Sequence, residues 1–324
     1  MMSRAVGLSL ECSVKTYPNP MVGAVIFDSG GNIIAEGRTC AYGCDHAEVD
    51  ALRKIDFKAQ GLMMAVTLEP CNHFGRTPPC SHAILKAGIK KVFIAKKEEN
   101  GKACNGACFL SDNGVEVEFL DKFASSVEEI NRFFFKTVRS NRPWVTAKMA
   151  VSKDGYITDA PGKQTLITGH AAKVHVHSLR ASHMAVAVGA NTVNVDDPLL
   201  TVREVAGDDP RPVIFSYGSQ IDPDAQILKR DPLIITEPVI EKALLKLWTE
   251  NKINSVLLEG GANLIRSFIL ENMIDEFHII TSEKVFGHGV KLFDEETQTM
   301  FDSQFILKEE KNLGEDILQI FRKS

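Results

Sequence analysis

Pro70-Cys71-Asn72-His73-Phe74-Gly75-Arg76-Thr77-Pro78-Pro79-Cys80, taken together with the upstream tripeptide His46-Ala47-Glu48, is the stretch that decides how this chain folds and what its first half does. One histidine and two cysteines make three borderline-soft donors, a set that suits tetrahedral Zn²⁺ with the fourth position left to water. Zinc lowers the pKa of a bound water toward ~7, which makes hydroxide available at neutral pH for attack on a ring carbon bearing an amino group. Glu48 is the candidate to take that water's proton and pass it to the ring nitrogen and then to the leaving ammonia. Residues two apart on a regular helix point about 200° away from each other, so His46 and Glu48 can serve one site only from a helix's opening turn.

Around this stretch the chain alternates short apolar runs with helical segments. A hairpin pair, 22–27 and 33–37, brackets the turn Asp28-Ser29-Gly30-Gly31-Asn32. A helix from Ala47, a strand over 63–68, a helix over 81–87, a strand over 91–95 and a helix over 125–139 follow. That rhythm predicts an α/β sheet with helices packed on it. At Ser140-Asn141-Arg142-Pro143 it breaks, because proline disfavours helix in the residue before it, and a strand over 144–150 starts at once. The boundary therefore falls there, giving domains 1–140 and 141–324. The second half again alternates, with helices over 171–182, 239–249 and 262–271 and strands over 185–189, 212–217, 233–236, 255–259 and 276–282.

Composition narrows the function classes. The 324 residues are 44% hydrophobic and 24% charged, as in ordinary globular proteins, and exceed the usual size of one domain. No run approaches the ~18 apolar residues of a membrane span, and the start carries no clear signal-peptide pattern, so the expected location is cytoplasmic with no membrane partner. A net charge of −5 argues against a nucleic-acid partner, leaving room for a local basic pocket that holds one phosphate. Seven cysteines in a reducing compartment read as thiols or metal ligands rather than disulfides.

The order H-x-E, strand, P-C is that of the zinc-dependent deaminases, except that the two cysteines here are separated by eight residues rather than two. With the His-Phe-Gly-Arg-Thr-Pro-Pro insert, and with Pro18-Asn19-Pro20-Met21-Val22-Gly23 at the start, the segment closely resembles the deaminase domain of the bifunctional riboflavin-biosynthesis deaminase/reductase family. The resemblance implies a cytidine-deaminase-like three-layer domain in which His46, Cys71 and Cys80 bind zinc and Glu48 is catalytic. It also implies that Asn19, His73 and Arg76 line the substrate pocket, Arg76 as a phosphate partner.

The likeness continues through Trp144–Gly155, Leu179-Arg180-Ala181, Val188–Val193, Asp196–Arg203 and Glu259-Gly260-Gly261-Ala262-Asn263-Leu264, in the order of that family's reductase domain. This implies a dihydrofolate-reductase-like α/β domain using NADPH, although no Gly-x-Gly-x-x-Gly occurs. Gly260-Gly261 closes a predicted strand and opens a helix, where bare backbone amides approach phosphates. By resemblance Ala150, Leu166, Thr192, Asp196, Ser219, Gly261, Ala262, Asn263, Leu264, Ile265, Arg266 and Ser267 contact NADPH. Gln164, Arg180, Leu200, Arg203 and Glu259 hold the ribose-phosphate part of the substrate, two arginines suiting a dianion. A small phosphorylated pyrimidine as substrate and a homo-oligomeric assembly are further implications.

The chain departs from the family pattern at Thr39, where a histidine is usual, at Glu99-Asn100-Gly101-Lys102, and at Gln164 and Leu166, which replace a serine and a tryptophan. The rival expectation is a reductase alone, its zinc serving only as a structural staple. The four histidines 170, 175, 177 and 183 are read as core or solvated residues.

Overall fold

The computed structural model describes the chain from Met1 to Ser324 apart from Arg76, Thr77, Lys102, Pro161, Lys163 and Gln164. It divides into two compact units, Met1–Ser140 and Asn141–Ser324. Among the described residues, no helix is long and apolar enough to cross a membrane.

The first unit runs α1 (Met2–Leu10), β1 (Gly23–Phe27), β2 (Ile33–Arg38), α2 (Ala47–Arg53), β3 (Met63–Leu68), α3 (Cys80–Ala87), β4 (Lys91–Lys96), α4 (Gly106–Asp112), β5 (Glu116–Phe119), α5 (Ala124–Ile130) and α6 (Arg132–Ser140). Its sheet has the order β2-β1-β3-β4-β5, antiparallel around β1 and parallel from β3 to β5. Strand alternation sends β1 side chains to both faces: Ala24 and Ile26 join Ala51 and Leu52 of α2 and Ile84 of α3, whereas Val25 and Phe27 join Met2, Ala5 and Leu8 of α1. Helices thus cover both sides of the sheet, in three layers. Gly37 allows α2 to lie directly on β2, since a Cβ there would fall 2.1 Å from the Ala47 carbonyl oxygen.

The single helix expected over 125–139 is two. Asn131 leaves the helical path and uses its carboxamide as a backbone surrogate, accepting from Met21 N at 2.7 Å and donating to Met21 O at 3.0 Å. Nearby, Arg139 and Lys96 bind Glu99 and Glu128 in a four-membered ion cluster at 2.6–2.9 Å. Arg139 holds the Glu99 carboxyl down at about 2. A carboxyl depressed in the folded state stabilises above its unfolded pKa of roughly 4.3, and that contribution disappears as pH falls through the folded value. Glu99→Gln is expected to cost about 0.5–1 kcal/mol at pH 7, since the cluster is partly exposed, and nothing near pH 2. Urea unfolding across that pH range checks this; a pH-independent difference would refute it.

The second unit runs β6 (Trp144–Val151), β7 (Tyr156–Thr158), α7 (His170–Ser182), β8 (Ala185–Gly189), α8 (Ala190–Asp196), β9 (Arg211–Phe215), β10 (Leu233–Ile235), α9 (Ile240–Thr249), β11 (Ser255–Leu258), α10 (Ala262–Leu270), β12 (Glu276–Thr281), β13 (Val290–Lys291), α11 (Glu295–Gln304), β14 (Phe305–Leu313) and β15 (Asp316–Lys323). Eight strands lie in the order β10-β9-β8-β11-β6-β12-β15-β14, the first six parallel and β15 antiparallel to both its neighbours, β12 and β14. Odd residues of β6, Val145 and Ala147, pack under α9 and α10. The opposite face of the sheet is covered by Ala172, Val176 and Leu179 of α7 and Val193 of α8.

Candidate zinc site and cofactor cleft

The turn geometry that the His46/Glu48 spacing demands is what the first unit builds. His46 is the N-cap of α2, with extended φ/ψ of −72° and 161°, and Glu48 lies in the first turn. Cys71 follows β3, and Cys80 opens α3 behind Pro79, whose fixed φ of −58° is ready for a helix start. The intervening loop is closed by Ser81 N donating to Cys71 O at 3.2 Å and Ser81 Oγ donating to Asn72 Oδ1 at 2.7 Å. His46 Nδ1 stands 3.6 Å from Cys71 Sγ and 3.3 Å from Cys80 Sγ. Donors held 2.0–2.3 Å from one tetrahedral zinc lie roughly 3.5–3.8 Å apart, so these three side chains fit that ion.

Charges in the cluster are strongly coupled. The Cys71 thiol is drawn down to about 4, chiefly by its hydrogen bond with Cys80, while Cys80 is raised by the same bond and by burial. His46 is raised to about 8 by its bond with Cys71. Glu48 is 4% exposed, and burial followed by the neighbouring Cys71 charge lifts its carboxyl to about 7. A carboxyl poised near neutrality is suited to taking and returning a proton.

A cavity of about 220 Å³ opens over His46, Glu48 and Cys71, and its walls include Asn19, Thr39, Glu69, His73, Glu98 and Phe134. Asn19 and His73, which the resemblance assigns to the substrate pocket, line this cavity; Arg76 lies outside the described residues. Thr39, buried at the cavity wall, accepts on Oγ1 from Val22 N at 3.1 Å. The sequence reading missed Glu98. Its signal was a carboxylate next to Glu99 at the end of β4: Glu99 turns out to Arg139, whereas Glu98 turns in, 6% exposed, and burial raises its carboxyl.

In the second unit a cleft of about 560 Å³ lies at the carboxyl ends of the parallel strands, where open α/β sheets bind ligands. Thr192, Asp196, Ser219, Gly261, Ala262, Asn263, Leu264 and Ser267 line it. Gly261 N donates to Thr192 Oγ1 at 3.2 Å, joining the starts of α10 and α8. Ile265, Arg266, Leu166 and Ala150 do not line this cleft. Ile265 is fully buried in the core under α10, because it sits on that helix's inner face. Arg266 is spent on the Lys291 and Leu292 carbonyls and on Asp294. Leu166 is 81% exposed outside the lining, and Ala150 also lies outside it.

Among the expected substrate residues, Arg180 and Glu259 bind one another at 2.6 and 2.9 Å, and Arg180 Nη1 also donates to Thr201 O at 3.0 Å. Arg203 is the exposed cation of the pair; its side chain reaches Thr201 Oγ1, and its backbone N donates to His177 Nδ1 at 2.8 Å. Leu200 is buried with φ of 54°, turning the segment between them. Gln164 lies outside the described residues. His177 and His183 are core residues, as expected, while half-buried His175 bonds His278 at 3.0 Å. Lys148 was overlooked. It stands on β6 with register partner His278 on β12, and on β11 Leu257 pairs with Thr146, which carries Glu259 to the level of Lys148 on the same face. Burial lowers its pKa, opposed by the Glu259 charge. A lone charge inside the apolar run 144–151 was the available signal.

Comparison with known proteins agrees with this geometry. Residues 1–96 match the family described as cytidine and deoxycytidylate deaminase zinc-binding region, and residues 143–319 match the RibD C-terminal domain. The riboflavin biosynthesis protein RibD of Aquifex aeolicus is 33% identical, the alignment covering 99% of this chain and 97% of that protein. The structure of Acinetobacter baumannii RibD superposes with a TM-score of 0.89 at 31% identity, covering 100% of this chain and 98% of that one. A diaminohydroxyphosphoribosylaminopyrimidine deaminase/5-amino-6-(5-phosphoribosylamino)uracil reductase from Thermotoga maritima gives a TM-score of 0.86 at 30% identity, covering 100% and 97%. With a zinc-binding deaminase region followed by a reductase domain, the chain belongs to the RibD family, the deaminase/reductases of riboflavin biosynthesis.

Proposed function

We propose that the first unit hydrolyses the amino group of 2,5-diamino-6-(5-phosphoribosylamino)pyrimidin-4(3H)-one and that the second reduces the ribose of the resulting 5-amino-6-(5-phosphoribosylamino)uracil to ribitol with NADPH. The observation that carries the first step is Glu48, buried beside a cluster of three donors. Among the described residues no fourth His, Cys, Asp or Glu joins His46, Cys71 and Cys80, which favours a catalytic zinc over a structural one. Zinc bound there supplies a Lewis acid that makes water nucleophilic at neutral pH. Glu48 accepts the attacking water's proton and returns it as the carbon–nitrogen bond breaks, so that ammonia leaves and a ring carbonyl remains. Asn19 and His73, which line the cavity, would orient the ring; the family resemblance assigns the phosphate to Arg76, outside the described residues.

NADPH bound in the second unit would supply the hydride for the open-chain imine carbon, with the proton on nitrogen coming from water. Thr192, Asp196, Ser219, Gly261, Ala262, Asn263, Leu264 and Ser267 would hold the cofactor. Arg203, with Arg180 fixed by Glu259, would face the phosphate of the substrate, and buried Lys148 lies within charge interaction of both Arg180 and Glu259.

Zinc removal separates the two steps. Chelator-stripped protein is expected to lose ammonia release from the diamino substrate and regain it with added zinc, while NADPH oxidation with the deaminated substrate persists. Ammonia release that survives complete stripping, or NADPH oxidation that never occurs, would defeat the corresponding half.

A further inference from the structure

The cofactor cleft has two distinguishable ends. Its walls come from segments that follow four neighbouring strands in the order β9-β8-β11-β6. Adjacent strands lie ~4.8 Å apart, so the ends are separated by roughly 14 Å, enough to part the two rings of an extended dinucleotide. At the β6 end stand Ile157 and Thr158 of β7. The reacting carbon belongs there under the proposed reductase function, because Lys148 lies on β6 and Glu259 directly follows β11. At the β9 end stand Phe215, Tyr217 and Ser219. Between them the start of α10 offers its amides to the phosphates.

Tyr217 is 41% exposed, and its ring centroid is 6.0 Å from that of buried Phe215, which backs it. Burial, with Glu271 and Glu237 nearby, pushes its hydroxyl up to about 12, so the ring stays neutral. We propose that Tyr217 is the stacking platform for the adenine ring, a positioning residue that fixes the adenosine half of the dinucleotide at the β9 end of the cleft. The inference rests on the reading of this unit as an NADPH-dependent reductase.

Calorimetry with 2′,5′-ADP, the adenosine half of the cofactor, tests it. Base–aromatic stacking predicts about 10-fold weaker binding of 2′,5′-ADP and of NADPH to Tyr217→Ala. Tyr217→Phe and Tyr217→Trp keep the platform and are expected to bind within about twofold of the parent. In turnover the Ala variant should raise the NADPH KM in step with kcat unchanged, and use reduced nicotinamide mononucleotide as well as the parent does. Unaltered 2′,5′-ADP affinity in the Ala variant would overturn the proposal, as would equal losses with the mononucleotide or in the Phe and Trp variants. Failure of the parent chain to bind NADPH would overturn the reductase reading and this inference with it.

Discussion

Glu48→Gln is expected to slow ammonia release by about 10³–10⁴-fold while zinc content and NADPH oxidation with the deaminated substrate stay at parental levels. The carboxamide keeps the shape of the side chain but cannot take a proton from water and hand it on. Since Glu48 is 4% exposed, a neutral replacement removes a burial penalty, and the variant should fold at least as well as the parent. The lost rate would therefore report chemistry. Ammonia release within tenfold of the parent would sink the assignment.

The second large effect concerns stability. Arg142, at the start of the second unit, donates to both oxygens of Asp275 at 2.7 and 2.8 Å, and Asp275 also accepts from Val145 N at 2.9 Å. The two side chains are 11% and 4% exposed. Arg142→Ala strands a buried carboxylate, and breaking such a pair costs ~3–5 kcal/mol, or roughly 10 °C in the melting midpoint of that unit. Adding Asp275→Asn should recover much of the loss, because the amide still accepts from Val145 N without an uncompensated charge. A single-variant loss below about 1 kcal/mol would show that the pair does not hold the unit's entry strand.

The strands over 63–68 and 185–189 were legible to the residue because each is a short apolar run cut off by turn chemistry. So was the opening-turn placement of His46 and Glu48, which follows from helix geometry alone. What stayed hidden depends on partners distant in the chain. Nothing local marks Asn131 as a helix breaker, since its role comes from the Met21 backbone. The β14/β15 hairpin was missed because β14 carries Lys308-Glu309-Glu310-Lys311 along an exposed edge, with no alternation of apolar residues to read. In the reductase site, resemblance assigned Ile265 and Arg266 to the cleft along with their neighbours, yet helical rotation turns one into the core and the other toward β13. Lys148 and Tyr217 needed the sheet order before their positions had meaning.

Lys148 and His278 pair on adjacent parallel strands, and Glu259, one residue past the end of β11, stands level with Lys148, in the space beneath α7. Sliding β6 by a single position would carry the ammonium to the hydrocarbon face and bring an aliphatic chain between a carboxylate and an imidazole. The residues proposed to handle the sugar phosphate thus also act as a registration key for the sheet, penalising every mispaired alternative. Exchanging Lys148 for methionine should consequently leave a chain that not only turns over poorly but also folds less uniquely.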